Sequence, residues 1–240
     1  MNIVITGASS GIGYQIALVL SANPANKVIV VSRSKEKLDQ LKAESILTYP
    51  QSKLMVIAGD ISNEQSVIKI TEEIKSTCGQ IHILINNAGL LINKPFENLS
   101  LKDWTDVYAT NVFGAVNMIK QLLPLLFSVD KDRRKNHIVN ISSMGGFQGS
   151  VKFKGLSAYS SSKAALVGIT ECLAEELKDR NIAVNCLCLG SVQTEMFSTA
   201  FPSFIASSTT LEMAAYIAEF ALEGQKFFNG KIIPVSVSTP

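Results

Sequence analysis

The amino-acid sequence predicts a doubly wound α/β fold, in which one seven-stranded parallel sheet carries helices on both of its faces. Short apolar runs alternate with longer amphipathic ones along the chain. Most of the short runs are continuous in Val and Ile, which is typical of strands that are covered on both faces. The length of 240 residues suits one such unit. We therefore expect residues 1–240 to form a single domain.

The elements follow one another in a regular order. A first strand at residues 2–6 leads through a glycine turn into a helix at 11–21. Further strands are expected at 27–32, 53–58, 81–85, 137–141, 182–187 and 231–235. Further helices are expected at 35–47, 64–77, 101–126, 158–177 and 211–222. Two stretches rich in Gly or Ser, 145–155 and 191–208, are expected to be loops at the carboxyl ends of the strands, where such folds bind ligands.

Charge and composition narrow the class of protein. The chain is 47% hydrophobic and 18% charged, with a net charge of +2. No apolar run reaches the ~18–20 residues that span a bilayer, and a strand that begins at residue 2 leaves no room for a signal peptide. We expect a cytoplasmic protein without a membrane partner. The basic run at residues 131–135 contains an acid and lacks aromatic neighbours, so we interpret it as a solvated loop and expect no nucleic-acid partner.

Cysteines and histidines give little sign of a metal site. Cys186 and Cys188 lie in an apolar run, and strand alternation should turn both sulfur atoms to one face of the sheet. Neither cysteine has a histidine or a second cysteine pair near it in sequence. We interpret them as buried thiols and expect no metal. His82 and His137 each begin a strand, and we expect structural roles for both.

The glycine turn after the first strand predicts an anion site. Gly7, Gly11 and Gly13 have the spacing G-x-x-x-G-x-G. Gly7 permits a backbone angle that a side chain would disfavour, and Gly11 and Gly13 allow a pyrophosphate and a neighbouring strand to come close. Free N–H groups and the dipole of the next helix would then face the phosphates. The flanking strand and helix favour nucleotide binding over an ordinary tight turn.

A tyrosine and a lysine on one helix face form the second informative pattern. Tyr159 and Lys163 are spaced i, i+4, so a lysine ammonium near the phenol should lower the tyrosine pKa from about 10. Such a group can exchange a proton near neutral pH. Ser143, in the loop after a predicted strand, could hold a substrate oxygen, and Ser142 is the near rival. Alone, the Tyr–Lys pair is common, and a surface tyrosine beside a surface lysine is then the favoured interpretation.

Together these motifs resemble the short-chain dehydrogenase/reductase family in its single-domain form, over almost the whole chain. In family order, the matching features are the T-G-x-x-x-G-x-G loop at 6–13, Asp60, the N-N-A-G segment at 86–89, Asn111, Ser143, the Y-x-x-x-K pair Tyr159 and Lys163, and Thr194. The resemblance implies a Rossmann fold and a single dinucleotide-binding catalytic domain over residues 1–240.

The resemblance also implies a role for each matching residue. In the implied mechanism, nicotinamide delivers hydride to a carbonyl carbon while Tyr159 donates a proton to the oxygen. Lys163 lowers the tyrosine pKa and binds the ribose, and Ser143 positions and polarises the carbonyl. Asn111 holds a helix distortion and a water that completes the proton path. The implied cofactor contacts are Gly7, Ser9, Ser10, Gly11, Ile12, Gly13, Arg33, Ser34, Asp60, Ile61, Asn87, Ala88, Gly89, Tyr159, Lys163, Gly190, Val192 and Thr194.

The residues after the second strand favour NADP(H) over NAD(H). An acid at this place would bind the free ribose 2′-hydroxyl and repel a 2′-phosphate. The strand is instead followed by Arg33 and Ser34, and Arg33 can pair with phosphate and stack on adenine. Lys35 and Lys37 add positive potential. The alternative is that Arg33 is simply solvated, and Ser10 lacks the positive charge that many NADPH-preferring relatives carry in the glycine loop.

Three departures from the family pattern concern the substrate side. Leu189 stands where a proline is usual, so the loop over the nicotinamide is expected to sit differently. Ser143 and Tyr159 are 16 positions apart, a longer gap than is common, and the extra residues fall within 145–155. The segment between Thr194 and the last helix is short, which predicts a reduced lid and a more open pocket.

The leading functional hypothesis is an NADPH-dependent ketone or 3-oxoacyl reductase acting on a small-molecule carbonyl compound. The alternatives are an NAD(P)-dependent alcohol dehydrogenase, which uses the same groups in reverse, and a non-catalytic dinucleotide-sensing protein. Relatives often pair through their long helices, here near 101–127 and 158–177, so we expect a homodimer or homotetramer. The following rim residues suggest either an apolar pocket or buried lid anchors: Met144, Phe147, Phe153, Met196, Phe197, Phe201 and Phe204.

Overall fold

The computed structural model describes residues 1–126 and 136–237, and its sheet confirms the predicted doubly wound fold. The seven parallel strands are β1 (Asn2–Thr6), β2 (Lys27–Ser32), β3 (Lys53–Ala58), β4 (Ile83–Asn86), β5 (Asn136–Ser143), β6 (Ile182–Leu189) and β7 (Ile232–Val235). Their order across the sheet is β3-β2-β1-β4-β5-β6-β7. The order reverses between β1 and β4, and loops that leave these strands in opposite directions open a crevice at their carboxyl ends.

Helices cover both faces of this sheet. They are α1 (Gly11–Ser21), α2 (Lys35–Thr48), α3 (Glu64–Thr77), α4 (Leu101–Tyr108), α5 (Gly114–Leu122), α6 (Ser157–Glu176), α7 (Glu195–Ala200) and α8 (Thr210–Glu223). Side-chain alternation in β1 sends Ile3 and Ile5 into a core with α1, α2 and α8, and Val4 into a second core with α3, α5 and α6. Burial on both faces explains the continuous apolar runs of the strands.

Four strands have boundaries that differ from the sequence expectation. β5 and β6 each continue two residues further than predicted, and Ser143 pairs with Leu189 at their ends. At these positions β5 and β6 pair with each other, which extends both strands. The residue types of Ser142 and Ser143 alone do not indicate a strand. β4 begins at Ile83 and not at 81, because the Ile81 N–H donates to the Leu125 carbonyl outside the sheet. The last strand begins one residue later than expected.

The predicted helix at 101–126 is wrong in its continuity and its end. A π-helical turn at Ala109–Phe113 separates α4 from α5, and such a turn places one extra residue in the helix. α5 ends at Leu122, and its last helical hydrogen bond runs from the Leu123 N–H to the Ile119 carbonyl, because Pro124 has no N–H to continue the series. The predicted loop at 191–208 contains α7, which begins where the Thr194 hydroxyl accepts a 3.0 Å hydrogen bond from the Phe197 N–H. The basic run at 131–135 and Phe127 lie outside the described residues.

Both histidines and both strand cysteines are integrated into the fold. His82 accepts a 2.9 Å hydrogen bond from the Asn2 N–H, and His137 bonds the Ala221 carbonyl and the Asn185 amide. The cysteines of β6 are buried in one cluster with Met144, as alternation predicts. Within 1–126 and 136–237 no group of three His, Cys, Asp or Glu side chains could hold a metal ion. No helix in these ranges combines the length and apolarity that a bilayer crossing needs.

Candidate active site

The glycine loop is held in a shape that requires glycine. Gly7 has φ +70°, a left-handed conformation, and a Cβ built on it would lie 2.6 Å from the Ala88 Cα. A Cβ on Gly13 would lie 2.5 Å from the Gly7 carbonyl oxygen. The Asn87 amide donates to the carbonyls of Thr6 and Gly7 at 3.0 and 3.1 Å, and so ties the end of β4 to the loop. Asn87 and Ala88, which follow the neighbouring strand β4, therefore hold the glycine loop in place.

The first turn of α1 is open to an anion. Its N-cap residue Ser10 makes no side-chain capping bond, whereas capping side chains begin α2, α3, α4, α7 and α8. The first N–H groups of a helix have no partner within the helix. At α1 they face the cleft beside Gly11, which also has a positive φ of +60°. A pyrophosphate fits this arrangement, because the N–H groups and the helix dipole favour negative charge.

Residues at the ends of β2 and β3 line the cleft. Arg33 is exposed and makes no hydrogen bond or ion pair with any residue of the described ranges. Ser34 does not line the cleft and instead caps α2 by accepting from the Lys37 N–H at 3.3 Å. Lys35 pairs with Asp39 at 2.9 Å, so much of the positive potential expected from it is compensated.

The acid after β3 is held by its own loop. The Asp60 Oδ1 accepts from the Ser62 N–H at 2.9 Å and from the Ser62 hydroxyl at 2.7 Å. Its other carboxylate oxygen receives no hydrogen bond within the described part of the chain. Asp60 and Ile61 both line the cleft.

Ser143, and not its neighbour, contacts the tyrosine. Ser143 lies close enough to the Tyr159 hydroxyl for its hydrogen bonding to lower the pKa of that phenol, and it accepts from the Gly145 N–H at 3.1 Å. The Ser142 hydroxyl is buried and donates to the Lys163 carbonyl at 2.9 Å, which fixes the strand to α6. Alternation along β5 sends the two hydroxyls to opposite sides, so only one of them can meet Tyr159.

The expected low pKa of Tyr159 is not found. Burial raises the pKa of Tyr159 to about 12, against the lowering effect of the Ser143 hydrogen bond. The Lys163 ammonium lies 5.8 Å from the Tyr159 ring centroid and donates to the Ile141 carbonyl at 2.8 Å. Burial also lowers the pKa of Lys163 to about 8. Desolvation of both groups therefore outweighs the attraction that the i, i+4 spacing suggests.

Asn111 lies behind the cleft, within the π-helical turn. Its amide oxygen accepts from the Leu90 N–H at 2.7 Å, and its amide nitrogen donates to the Leu90 carbonyl and the Ser162 hydroxyl at 2.9 Å each. The side chain is 1% exposed. A helix distortion is thus present at the expected place, and Asn111 connects it to α6 and to the segment after β4.

The buried lysine predicts a dependence of stability on pH. Since the folded pKa of Lys163 is about 8 and its ordinary value is 10.5, the unfolded chain binds more protons between these two pH values. Unfolding free energy should therefore rise by about 2 kcal/mol between about pH 7.5 and pH 9.5, below the range in which Tyr159 titrates. Urea unfolding of the wild type and of Lys163→Met at both pH values measures this. An equal rise in the variant would contradict the assignment to Lys163.

One cleft of about 1140 Å³ brings the predicted residues together. Of the predicted cofactor and catalytic residues, Gly13, Ser34 and Asn111 lie outside its lining. Several lining residues were not indicated by the motifs. They lie at the ends of strands or directly after a strand or motif, and they are Val31, Ser32, Gly59, Leu90 and Ser191. The rule that parallel sheets bind ligands at their carboxyl ends would have found most of them.

The rim residues divide into two groups. Met144 is buried against the β6 cysteines although it touches the cleft, and Phe147 packs beside it outside the cleft lining. The other five rim residues, Phe153, Met196, Phe197, Phe201 and Phe204, line the cleft. Leu189 is buried at the end of β6, so the residue in the usual proline position continues the strand.

Comparisons with known proteins agree with this geometry. A family model described as short chain dehydrogenase matches residues 1–203. The chain is 36% identical over 193 residues to a 3-oxoacyl-acyl-carrier-protein reductase of Aquifex aeolicus, covering 80% of this chain and 74% of that protein. It is 37% identical over 196 residues to human retinol dehydrogenase 8, covering 81% of this chain but only 60% of that protein. Among solved structures, RhlG of Pseudomonas aeruginosa, in an NADP active-site complex, has a TM-score of 0.87 at 26% identity, covering 98% of this chain and 94% of that one.

Proposed function

This chain belongs to the short-chain dehydrogenase/reductase family of oxidoreductases, and from that premise we propose that it reduces a ketone or 3-oxoacyl carbonyl group with NADPH. The observation that carries the proposal is that Ser143 and Tyr159 lie side by side in the lining of one cleft, which also contains the uncapped start of α1. The 3-oxoacyl reductase relative and the NADP complex of a structural neighbour support it.

We propose that the cofactor lies along the lined crevice. The first turn of α1 and the loop from Gly7 to Gly11 would hold its pyrophosphate, and Asp60 and Ile61 its adenine. Ala88, Gly190, Val192 and Thr194 also line this crevice, and they would contact the nicotinamide half of the cofactor. When bound, the nicotinamide supplies the hydride that the carbonyl carbon accepts.

The chain's own residues would manage the oxygen and its proton. Ser143 and Tyr159 can both hydrogen-bond one substrate oxygen, and these bonds strengthen as negative charge develops there. With a pKa of about 12, Tyr159 stays protonated at neutral pH and is available as the proton donor. The cation of Lys163 then stabilises the phenolate that proton donation leaves.

The direct test measures loss of reduced cofactor absorbance with NADPH or NADH against ketones, diketones, quinones and 3-oxoacyl thioesters. Turnover with NADPH supports the proposal. Cofactor binding measured by calorimetry, without turnover of any compound, would favour the dinucleotide-sensing alternative. Absence of binding of either cofactor would contradict the proposed site itself.

We expect Arg33→Ala to weaken NADPH binding by about 10- to 100-fold, because a charge-assisted hydrogen bond to the 2′-phosphate is lost. NADH binding should change little, since that cofactor has no phosphate there. Lys35→Ala is the matched control, because its ammonium is paired with Asp39 outside the cleft lining. Equilibrium titration of each variant with both cofactors gives the ratio of its dissociation constants for NADPH and NADH. Equal losses for NADPH and NADH would contradict a phosphate contact.

A further inference from the structure

Four phenylalanines form a continuous apolar surface along the substrate side of the cleft. Phe201 is its centre, with ring centroids 5.3 Å from Phe197, 6.3 Å from Phe204 and 6.4 Å from Phe153. Phe153 comes from the loop at 145–155, and the other three come from α7 and the residues after it. We call these four side chains the phenylalanine wall. It joins two segments that are far apart in sequence.

Hydrogen bonds hold both sides of the phenylalanine wall in place. The Asn93 amide donates to the Ala200 carbonyl at 2.8 Å, beside Phe201. The next residue, Lys94, donates its N–H to the Gly155 carbonyl at 3.0 Å, close to Phe153. Gly155 has φ +81° and no room for a Cβ beside Asn93, so the loop approaches this segment closely. The segment after β4 therefore connects both sides of the wall and fixes its shape.

The outer end of the phenylalanine wall is open to solvent. Phe204 is 67% exposed, and Ile205, which also lines the cleft, is 94% exposed. Phe153 and Met196 are each more than two-fifths exposed. Single exposed apolar residues are ordinary, but a contiguous group at the mouth of a cleft marks a binding surface. An apolar group that covers this surface would remove it from water, and the resulting free energy would favour binding.

We propose that the phenylalanine wall makes this chain selective for carbonyl compounds with an extended apolar chain or ring. This inference rests on the proposed function. The carbonyl oxygen would lie at Ser143 and Tyr159, and the apolar group would extend outward along the wall past Phe204. Small, polar carbonyl compounds would meet the same catalytic groups but leave the wall uncovered. The wall residues thus determine substrate size and polarity.

A homologous series of 2-alkanones tests the proposal with two readouts. Reduction is measured with NADPH, and equilibrium binding is measured by calorimetry in the presence of NADP⁺, which cannot reduce the ketone. We expect affinity and kcat/KM to rise up to about fourfold for each methylene that the wall covers. The rise should appear mainly in KM, because the chain contacts are made equally before and during the reaction.

Variants assign the effect to the wall. Phe204→Ala should reduce the increase in affinity and in kcat/KM per methylene, so that the loss relative to the wild type grows with the length of the ketone. Because Phe204 is mostly exposed, this variant is expected to fold, and Phe201→Ala removes the centre of the wall as a second test. Phe96→Ala is the matched control, since Phe96 is 70% exposed and lies outside the cleft lining.

The outcomes separate the two proposals. Binding and turnover that do not depend on chain length, or equal effects of Phe204→Ala and Phe96→Ala, would overturn the inference while the reductase assignment stands. Ketones that bind with a chain-length dependence lost in Phe204→Ala, but are never reduced, would support the inference and contradict the proposed function.

Discussion

Replacement of Tyr159 with phenylalanine should lower kcat for carbonyl reduction by about 10²- to 10⁴-fold, the range expected for loss of a positioned proton donor. The change removes one hydroxyl and keeps the ring beside which the Lys163 ammonium lies. Ser143 still accepts from the Gly145 N–H, so no buried group loses its last partner. NADPH affinity and folding stability should therefore change little. Steady-state kinetics, cofactor titration and urea unfolding of the same preparation measure all three quantities.

Tyr216→Phe is the matched control for this result. Tyr216 is a partly exposed tyrosine of α8, outside the cleft lining, and its pKa is also raised by burial. Its loss should leave kcat unchanged. Activity of Tyr159→Phe close to that of the control would show that another group donates the proton, and would contradict the role proposed for Tyr159.

Gly7→Ala should destabilise the fold by about 3 kcal/mol and weaken binding of either cofactor. A left-handed backbone costs a residue with a Cβ about 1–2 kcal/mol, and the forced contact with the Ala88 backbone adds about 1–3 kcal/mol. Ala88 is itself held by its N–H bond to the Thr6 hydroxyl at 3.2 Å, so it cannot move away freely. The loop would open and misplace the N–H groups of α1. Chemical unfolding and cofactor titration measure the two effects.

Gly168→Ala is the control that separates the effect on the loop from the general effect of replacing a glycine with alanine. Gly168 lies within α6, and a Cβ there would have no atom within 4 Å. Alanine in a helix interior is about 1 kcal/mol more favourable than glycine, so this variant should gain stability and keep its cofactor affinity. A Gly7→Ala protein as stable as the wild type would show that the loop conformation is not required.

The sequence predicted the sheet and the cleft well because both depend on local patterns. Two-sided burial produces continuous apolar runs, and Gly7 occupies a position where φ is +70°. The apolar pattern predicted one continuous helix at 101–126, and only the family resemblance implied a distortion at Asn111, because a π-helical turn needs no unusual residue. Proline at 124 was the available signal for the helix end.

Electrostatics were less predictable than geometry. The i, i+4 spacing places Lys163 near Tyr159, yet the pKa values depend on how completely the neighbouring elements remove water from both groups. The choice between Ser142 and Ser143 likewise required the pairing of β5 to be known. The sequence suggested that Lys35 adds positive potential, but Asp39, one turn later on the same helix, compensates its charge. Spacing within one helix could have predicted that ion pair.

The contacts that complete the glycine loop come from distant parts of the chain. Gly7 lies against Ala88, and the nearest atoms to a Cβ on Gly11 would be those of Thr194. During synthesis the loop leaves the ribosome before Ala88 and Thr194 do, because these two residues follow it in the chain. Parallel strands that are far apart in sequence also pair slowly. A dinucleotide can therefore stabilise the finished protein by mass action, but its binding site is complete only after Ala88 and Thr194 have reached the loop.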